Sequence, residues 1–243
     1  MSDIIEWSGY KWLTRQRWGS VHDDADKRVD CWYDPDSVRV LTNDQLELSI
    51  HYNPKKFDIN GQTITAHYGV GLITCETDFE YGKFEVECKM PKGKGLWPAF
   101  WMYNPTAGEM AKPEIDIFEG YSDKKGNYRE CCSFLRPYNV ESCLHLESGL
   151  PKTPAQKPWI WDFNSNPSDG FHKYTLNWTT EFIEFKIDNK TVRYIDDQDI
   201  VNYCSNRKLI LLLNTHIDGN FANTFEIDEK NPFLINYFSY DPL

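Results

Sequence analysis

The residues best suited to chemistry sit in one hexapeptide, Glu114-Ile115-Asp116-Ile117-Phe118-Glu119, where three carboxylates are separated only by bulky β-formers. In a strand, successive side chains point to opposite faces, so Glu114 and Asp116 share one face and Ile115 and Ile117 the other. Strict alternation sends Glu119 to the wrong side. One extra residue taken up as a β-bulge returns it to the face of the other two acids, and bulges concentrate beside active sites. Like charges this close raise one another's pKa. The run is either a catalytic carboxylate set or an exposed acidic edge, and perturbed carboxylates cluster at functional sites.

The preceding apolar segment bears on that choice. In Gly95-Leu96-Trp97-Pro98-Ala99-Phe100-Trp101-Met102, alternation sets Trp97, Ala99 and Trp101 on one face and Leu96, Phe100 and Met102 on the other. Two indoles flanking a small alanine make a flat aromatic surface suited to stacking on sugar rings. The plainer alternative is that both tryptophans are core, since Trp is highly buried on average.

Taken together, Leu96-Trp97-Pro98-Ala99-Phe100-Trp101-Met102 and the acid hexapeptide resemble family 16 of the glycoside hydrolases. The likeness is to the bulged branch that includes laminarinases, agarases and carrageenases, whose acids follow E-x-D-x-x-E, and not to the lichenases with the shorter E-x-D-x-E. Tyr81-Gly82-Lys83-Phe84-Glu85, His145, Phe171-His172-Lys173-Tyr174 with Trp178, and a closing strand near Leu234 to Tyr240 extend it over most of the chain. The resemblance implies an all-β antiparallel sandwich of jelly-roll form, with a cleft on the concave sheet. It also implies a retaining mechanism, with Glu114 as nucleophile and Glu119 as general acid/base. Glycoside hydrolysis needs one acid to protonate the leaving oxygen and another to meet the developing oxocarbenium centre. Asp116, between them, would hold up the pKa of Glu119. His145 matches the histidine that this branch places beside the middle Asp; a plain structural histidine is the alternative, and His172 and His216 are taken as structural.

Two departures from the family pattern bear on ligands. Members often carry a structural calcium with an Asp ligand in the closing strand, where this chain has Ile235-Asn236-Tyr237. Losing that charge weakens a site that depends on carboxylate count, so no tightly bound calcium, and no other metal or cofactor, is expected. The laminarinase Gly-Gly-Asn-Trp pattern is altered to Ile217-Asp218-Gly219-Asn220-Phe221.

Composition sets the outer bounds. The 243 residues suit a single domain over 1–243 with a full sandwich core. A net charge of −11 argues against nucleic acid, whose phosphates need a basic face, and leans against polyanionic polysaccharides. Aromatic residues reach 15 %, with nine Trp, which fits carbohydrate contact as well as a β-rich core. No run approaches the ~18 apolar residues of a membrane span. Met1-Ser2-Asp3-Ile4-Ile5-Glu6 has neither the basic nor the apolar region of a secretory signal. The substrate class points to an extracellular or periplasmic protein, whereas this beginning points to a cell or virion interior or to a trimmed chain. The seven cysteines lack metal-ligand spacing. They are expected reduced, Cys88 as a buried thiol beside Phe84 and Val86; a bridge between Cys143 and Cys131-Cys132 is the alternative.

The elements that must position the acids follow from the pattern. Residues 1–36 are expected to be an irregular, Trp-rich arm over a sheet edge. Strands are expected over Ser37–Leu41, Gln45–Tyr52, His67–Thr74 and Lys83–Met90, and at His172 to Trp178. Phe182–Ile187 and Thr191–Ile195 form a hairpin turning at Asp188-Asn189-Lys190. The unbroken apolar run Leu209–Leu213 predicts a central strand buried on both sides, and Asp197–Tyr203 a short helix. Gly120–Ser142 is a long insertion with room for an extra hairpin; its Arg129 and Arg136, together with Trp159 beyond the next loop, are candidate substrate contacts beside Trp97 and Trp101. The expected function is endo-acting retaining hydrolysis of a β-linked polysaccharide by a monomer. β-1,3- or β-1,3-1,4-glucan ranks ahead of agar-, porphyran- or carrageenan-type galactans, which the basic insertion favours. Transglycosylation shares the intermediate, and a non-catalytic glucan-binding module is the least favoured alternative, since such relatives lose the acids.

Overall fold

Alternating strands that are apolar on one face bury that face only by pairing with a second sheet, and the computed structural model shows this arrangement. It describes residues 3–19, 31–59, 61–104, 112–122, 128–129, 139–146, 159–205, 207–217 and 225–243. An eight-stranded antiparallel sheet runs, in spatial order, Ile4–Trp7, Tyr10–Leu13, Leu72–Phe79, Leu209–Ile217, Leu96–Tyr103, Glu114–Glu119, Asn139–His145 and Trp159–Asp162. A seven-stranded sheet packs on one of its faces, ordered Lys190–Ile195, Ile183–Ile187, His172–Trp178, Gly82–Lys89, Phe233–Asp241, Leu46–Leu48 and Val38–Val40. The main core lies between them, where Phe100, Met102, Ile115 and Phe118 from the first sheet meet Phe84, Val86, Leu176 and Phe233 from the second.

Among the described residues, the opposite face of the eight-stranded sheet is only partly covered. A three-stranded sheet, Cys31–Tyr33, Gln62–Val70 and Ile50–Ile59, closes over one part of it. That contact forms a second apolar cluster of Tyr33, Val70, Leu72, Tyr103, Ile210 and Leu212. Leu96 joins this cluster and not the main core with Phe100 and Met102. Leu209–Ile217 is buried at every position, as a strand with sheet on both faces must be.

Three expected elements are corrected, the first being Gln45–Tyr52, which is two strands, Leu46–Leu48 in the seven-stranded sheet and Ile50–Ile59 in the three-stranded one. His67–Thr74 is not one strand: the chain leaves the three-stranded sheet at Val70 and enters the eight-stranded one at Leu72. Gly71 makes the crossing. A Cβ there would lie 2.7 Å from the Ser37 carbonyl oxygen and 2.9 Å from Leu48 Cβ, so only glycine fits the approach. The amino-terminal arm is not irregular either. It adds the hairpin Ile4–Trp7/Tyr10–Leu13 to the sheet edge at Leu72–Phe79, with Trp7 and Trp12 as buried anchors. The helix spans Gln198–Ser205. The Asp188-Asn189 turn has both residues at positive φ, 49° and 65°, the signature of a tight type I′ hairpin. Among the described residues no helix is long and apolar enough to cross a membrane.

Candidate active site

The acid strand Glu114–Glu119 lies between the tryptophan strand Leu96–Tyr103 and the strand Asn139–His145. Trp101 pairs with Asp116, Phe100 with Phe118 and Ala99 with Glu119, so Ile117 is the extra residue of a bulge. Ile117 and Phe118 both turn into the core, and Glu119 returns to the face of Glu114 and Asp116. The partner strand repeats that face: Glu114 stands opposite His145, Asp116 opposite Cys143 and Glu119 opposite Glu141.

The acids differ in surroundings. Glu114 accepts a charge-assisted hydrogen bond at 2.9 Å from Lys112. Glu119 Oε1 accepts from the Trp97 indole N–H at 3.0 Å and from the Tyr121 hydroxyl at 2.9 Å. Burial pushes the Glu119 carboxyl well above the usual range, with the charges of Asp116 and Glu141 adding to it and the Tyr121 hydrogen bond opposing. Burial does the same to Asp116, reinforced by Glu114 and opposed by Lys112. His145 Nε2 stands 3.0 Å from Asp116 Oδ2, and a hydrogen bond with Cys143 raises the imidazole pKa. Beneath the site Arg193 reaches across the core from the seven-stranded sheet. It donates to the Ser142 carbonyl at 2.9 Å, and burial lowers its pKa to about 10.

The raised Asp116 pKa makes a testable statement about stability. The folded chain holds a proton on Asp116 that the unfolded chain releases near 3.8, so stability falls as pH rises through the interval between the two values. Asp116→Asn removes that penalty. It is expected to raise Tm at neutral pH by at least about 2–4 °C, the shift that ~1 kcal/mol produces in a chain of this size. The gain should vanish in melts run below the carboxyl's ordinary value.

The two tryptophans are less alike than their spacing implies. Trp97 stacks on Tyr121 at 5.3 Å between ring centroids, with its N–H held by Glu119. Trp101 stacks on Tyr103 at 5.2 Å and donates its N–H to Asn214 at 2.7 Å. Both remain partly exposed on the acid face, and Trp18 meets the far edge of Tyr103 at 5.1 Å. His216 is buried against Trp97 and Tyr33.

The structure thus brings together Glu114, Asp116, Glu119, His145, Trp97 and Trp101. It does not bring Trp159 to them. Trp159 is 53 % exposed on the sheet's edge strand and pairs with Ser142, which puts it on the face opposite that of Glu141. Arg129 lies in a short strand, Tyr128–Arg129, paired with Tyr121–Ser122, which is the extra hairpin of the insertion. Arg136, Cys131 and Cys132 lie outside the described residues. Cys88 and Cys143 are buried thiols outside any disulfide. The Asn236 amide is engaged on both sides, donating to Glu87 and accepting from Gln45.

Four members of the constellation do not stand out in the sequence. Tyr121 and Glu141 carry a signal there, because alternation from Glu119 and from His145 sets them on the acid face. Lys112 carries one too, standing two residues before Glu114, whereas Asn214 carries none, since it arrives from a distant strand.

With this geometry in place, the comparison with known families is decisive: the profile of glycosyl hydrolases family 16 matches residues 25–224. The chain belongs to glycoside hydrolase family 16. Among curated family relatives, endo-1,3-1,4-beta-glycanase EglC of Rhizobium meliloti is 30 % identical over 191 residues, covering 68 % of this chain and 37 % of its own length. The glucan endo-1,3-beta-glucosidase of Cryptopygus antarcticus is 26 % identical over 182 residues, covering 70 % and 63 %. The chain therefore spans less than two thirds of either relative. The laminarinase catalytic domain of Thermotoga maritima superposes with a TM-score of 0.65 at 22 % identity, over 88 % of this chain and 84 % of that one, and so shares the fold. The jelly-roll sandwich of this family 16 chain is thus seen both in its own sheets and in a solved structure.

Proposed function

We propose that this family 16 chain is an endo-acting, retaining hydrolase of a β-1,3- or β-1,3-1,4-glucan, with Glu114 as nucleophile and Glu119 as general acid/base. One observation carries the reading: two carboxylates on the same face of one bulged strand sit in environments that push them into different states. Glu114 is ion-paired with Lys112, whereas desolvation and the charges of Asp116 and Glu141 raise the Glu119 pKa well above the usual carboxylate range and so favour its protonated form.

The roles follow from those states. Glu119 gives its proton to the glycosidic oxygen as that bond breaks, and Glu114 closes on the anomeric carbon to form a glycosyl ester. Glu119, now ionised, takes a proton from water as the water oxygen displaces Glu114, which regenerates both acids. The charge of Glu141, and that of Asp116 when it is ionised, raise the Glu119 pKa, and His145 positions Asp116. Trp97 steadies Glu119 through its N–H, and the Trp101 ring offers a stacking face to a sugar. The glucan assignment is supported by the named activities of the two curated relatives and by the net charge of −11, which disfavours sulfated galactans.

Incubation with laminarin, lichenan, agarose, porphyran and carrageenan tests this directly. Short oligosaccharides from laminarin or lichenan are expected, appearing first as the β-anomer by NMR before mutarotation. An initial α-anomer would exclude Glu114 as nucleophile, and products from the galactans alone would exclude the glucan assignment.

Tyr121 supplies a finer prediction. Its hydroxyl stabilises the ionised form of Glu119, so Tyr121→Phe raises the Glu119 pKa further. The first step needs Glu119 protonated. The alkaline limb of kcat/KM should therefore move up by about one pH unit, the equivalent of one lost hydrogen bond. An unmoved or lowered limb would mean that Tyr121 does not act on the acid.

A further inference from the structure

Beside the two glutamates, the cleft face carries a donor set of a different kind. Asp116 and Cys143 are cross-strand partners, and His145 lies two residues beyond Cys143 on the same face. A carboxylate oxygen, a thiol sulfur and an imidazole nitrogen from these three residues all lie within 4.8 Å of one another. Asp116 and Cys143 are buried, while 44 % of the His145 side chain is open, which gives a route in from the cleft. Asp116 Oδ2 is itself a buried acceptor that receives no well-directed hydrogen bond, although His145 Nε2 stands 3.0 Å away.

The Cys143 thiol hydrogen-bonds the His145 ring, and the same sulfur is a ligand type that a borderline-soft cation prefers. Zinc-type ions take sulfur at about 2.3 Å, imidazole nitrogen at about 2.0–2.1 Å and carboxylate oxygen at about 2.0–2.2 Å in a tetrahedron, which sets the ligand atoms roughly 3.3–3.7 Å apart. The three atoms already stand within about an ångström of that spacing on two hydrogen-bonded strands. A mixed sulfur, nitrogen and oxygen set favours zinc or cadmium over calcium or magnesium, which prefer oxygen alone. The acids around the cleft attract cations to it.

We propose that Asp116, Cys143 and His145 form a binding site for a zinc-class divalent cation, and that filling it switches the enzyme off. The binding half stands on the donor geometry; the inhibitory half rests on the reading of Glu114 as nucleophile. Glu114 is the cross-strand partner of His145, so a cation bound there lies against the nucleophile and on the floor that a sugar ring must occupy.

The test uses the full chain. Equilibrium dialysis against Zn²⁺ should give one ion bound per chain, and Cd²⁺ should produce an ultraviolet thiolate-to-cadmium charge-transfer band. Cys143→Ser and Cys143→Ala should lose the band while still cleaving glucan. Their half-inhibition by Zn²⁺ should need at least about tenfold more metal. The double substitution Cys131→Ser/Cys132→Ser should leave band and inhibition as in the wild type, and Ca²⁺ or Mg²⁺ should not inhibit. His145→Gln, read by dialysis alone, should bind zinc at least about tenfold more weakly and serves if the Cys143 variants fail to fold. A wild type that binds no zinc, a band that survives in Cys143→Ser, or unchanged zinc affinity in His145→Gln would each overturn the site. A chain that binds zinc but cleaves no glucan would refute the glucan reading and leave the metal site standing.

Discussion

Glu114→Ala is expected to lower kcat on a β-glucan by roughly 10⁴-fold or more, because on the proposed reading it removes the group that forms the glycosyl ester. The loss should be chemical and not structural. Glu114 is partly exposed, and its only charged hydrogen-bond partner among the described residues, Lys112, keeps a route to solvent. Tm should therefore fall little. The space left by the carboxylate admits a small anion, so azide should restore part of the rate on an activated substrate. It attacks from the side that Glu114 occupied, and the product should be a glycosyl azide of inverted configuration. A variant that kept more than a small residue of activity, or whose azide product retained configuration, would remove Glu114 from the nucleophile's role.

Glu119→Ala should behave in the opposite sense. On polysaccharide, where the leaving oxygen needs a proton, the loss is expected to be about 10²–10⁴-fold. On an aryl oligosaccharide with an acidic phenol the first step needs no proton and should survive, so the glycosyl ester accumulates and a burst of phenol precedes slow turnover. Azide then attacks the ester and gives a product of retained configuration. The alkaline limb of the wild-type profile should also disappear, because the group that must stay protonated is gone. Equal losses on both substrates would mean that Glu119 holds the cleft together and moves no proton. That outcome is a real alternative, since the Trp97 indole and the Tyr121 hydroxyl both lose their acceptor.

Much of this site is legible in the order of the residues alone. The period-two pattern of Glu114–Glu119 determines which acids share a face, and the odd spacing of Glu119 requires the bulge that the pairing displays at Ile117. The apolar run at Leu209–Leu213 requires a strand with sheet on either side, and Asp188-Asn189 requires a tight hairpin, because those residues tolerate positive φ. Each of these is a local property, decided by neighbours within a few positions.

What the residue order leaves open is decided by partners distant along the chain. Alternation sets Trp97 and Trp101 on one face, but only the packed sheet gives Trp97 to Glu119 and Trp101 to Asn214. The crossing at Gly71 is invisible to hydrophobic pattern, since both sheets want the same apolar alternation. Trp159 shows the limit most plainly. Its spacing in the sequence says nothing of which strand it pairs with, and a register set opposite Ser142 turns it away from the acids. Face parity within a strand is written in the residues of that strand. Register between strands is settled by the burial of the whole sheet, and it is register that puts Glu141, Cys143 and His145 around the three carboxylates.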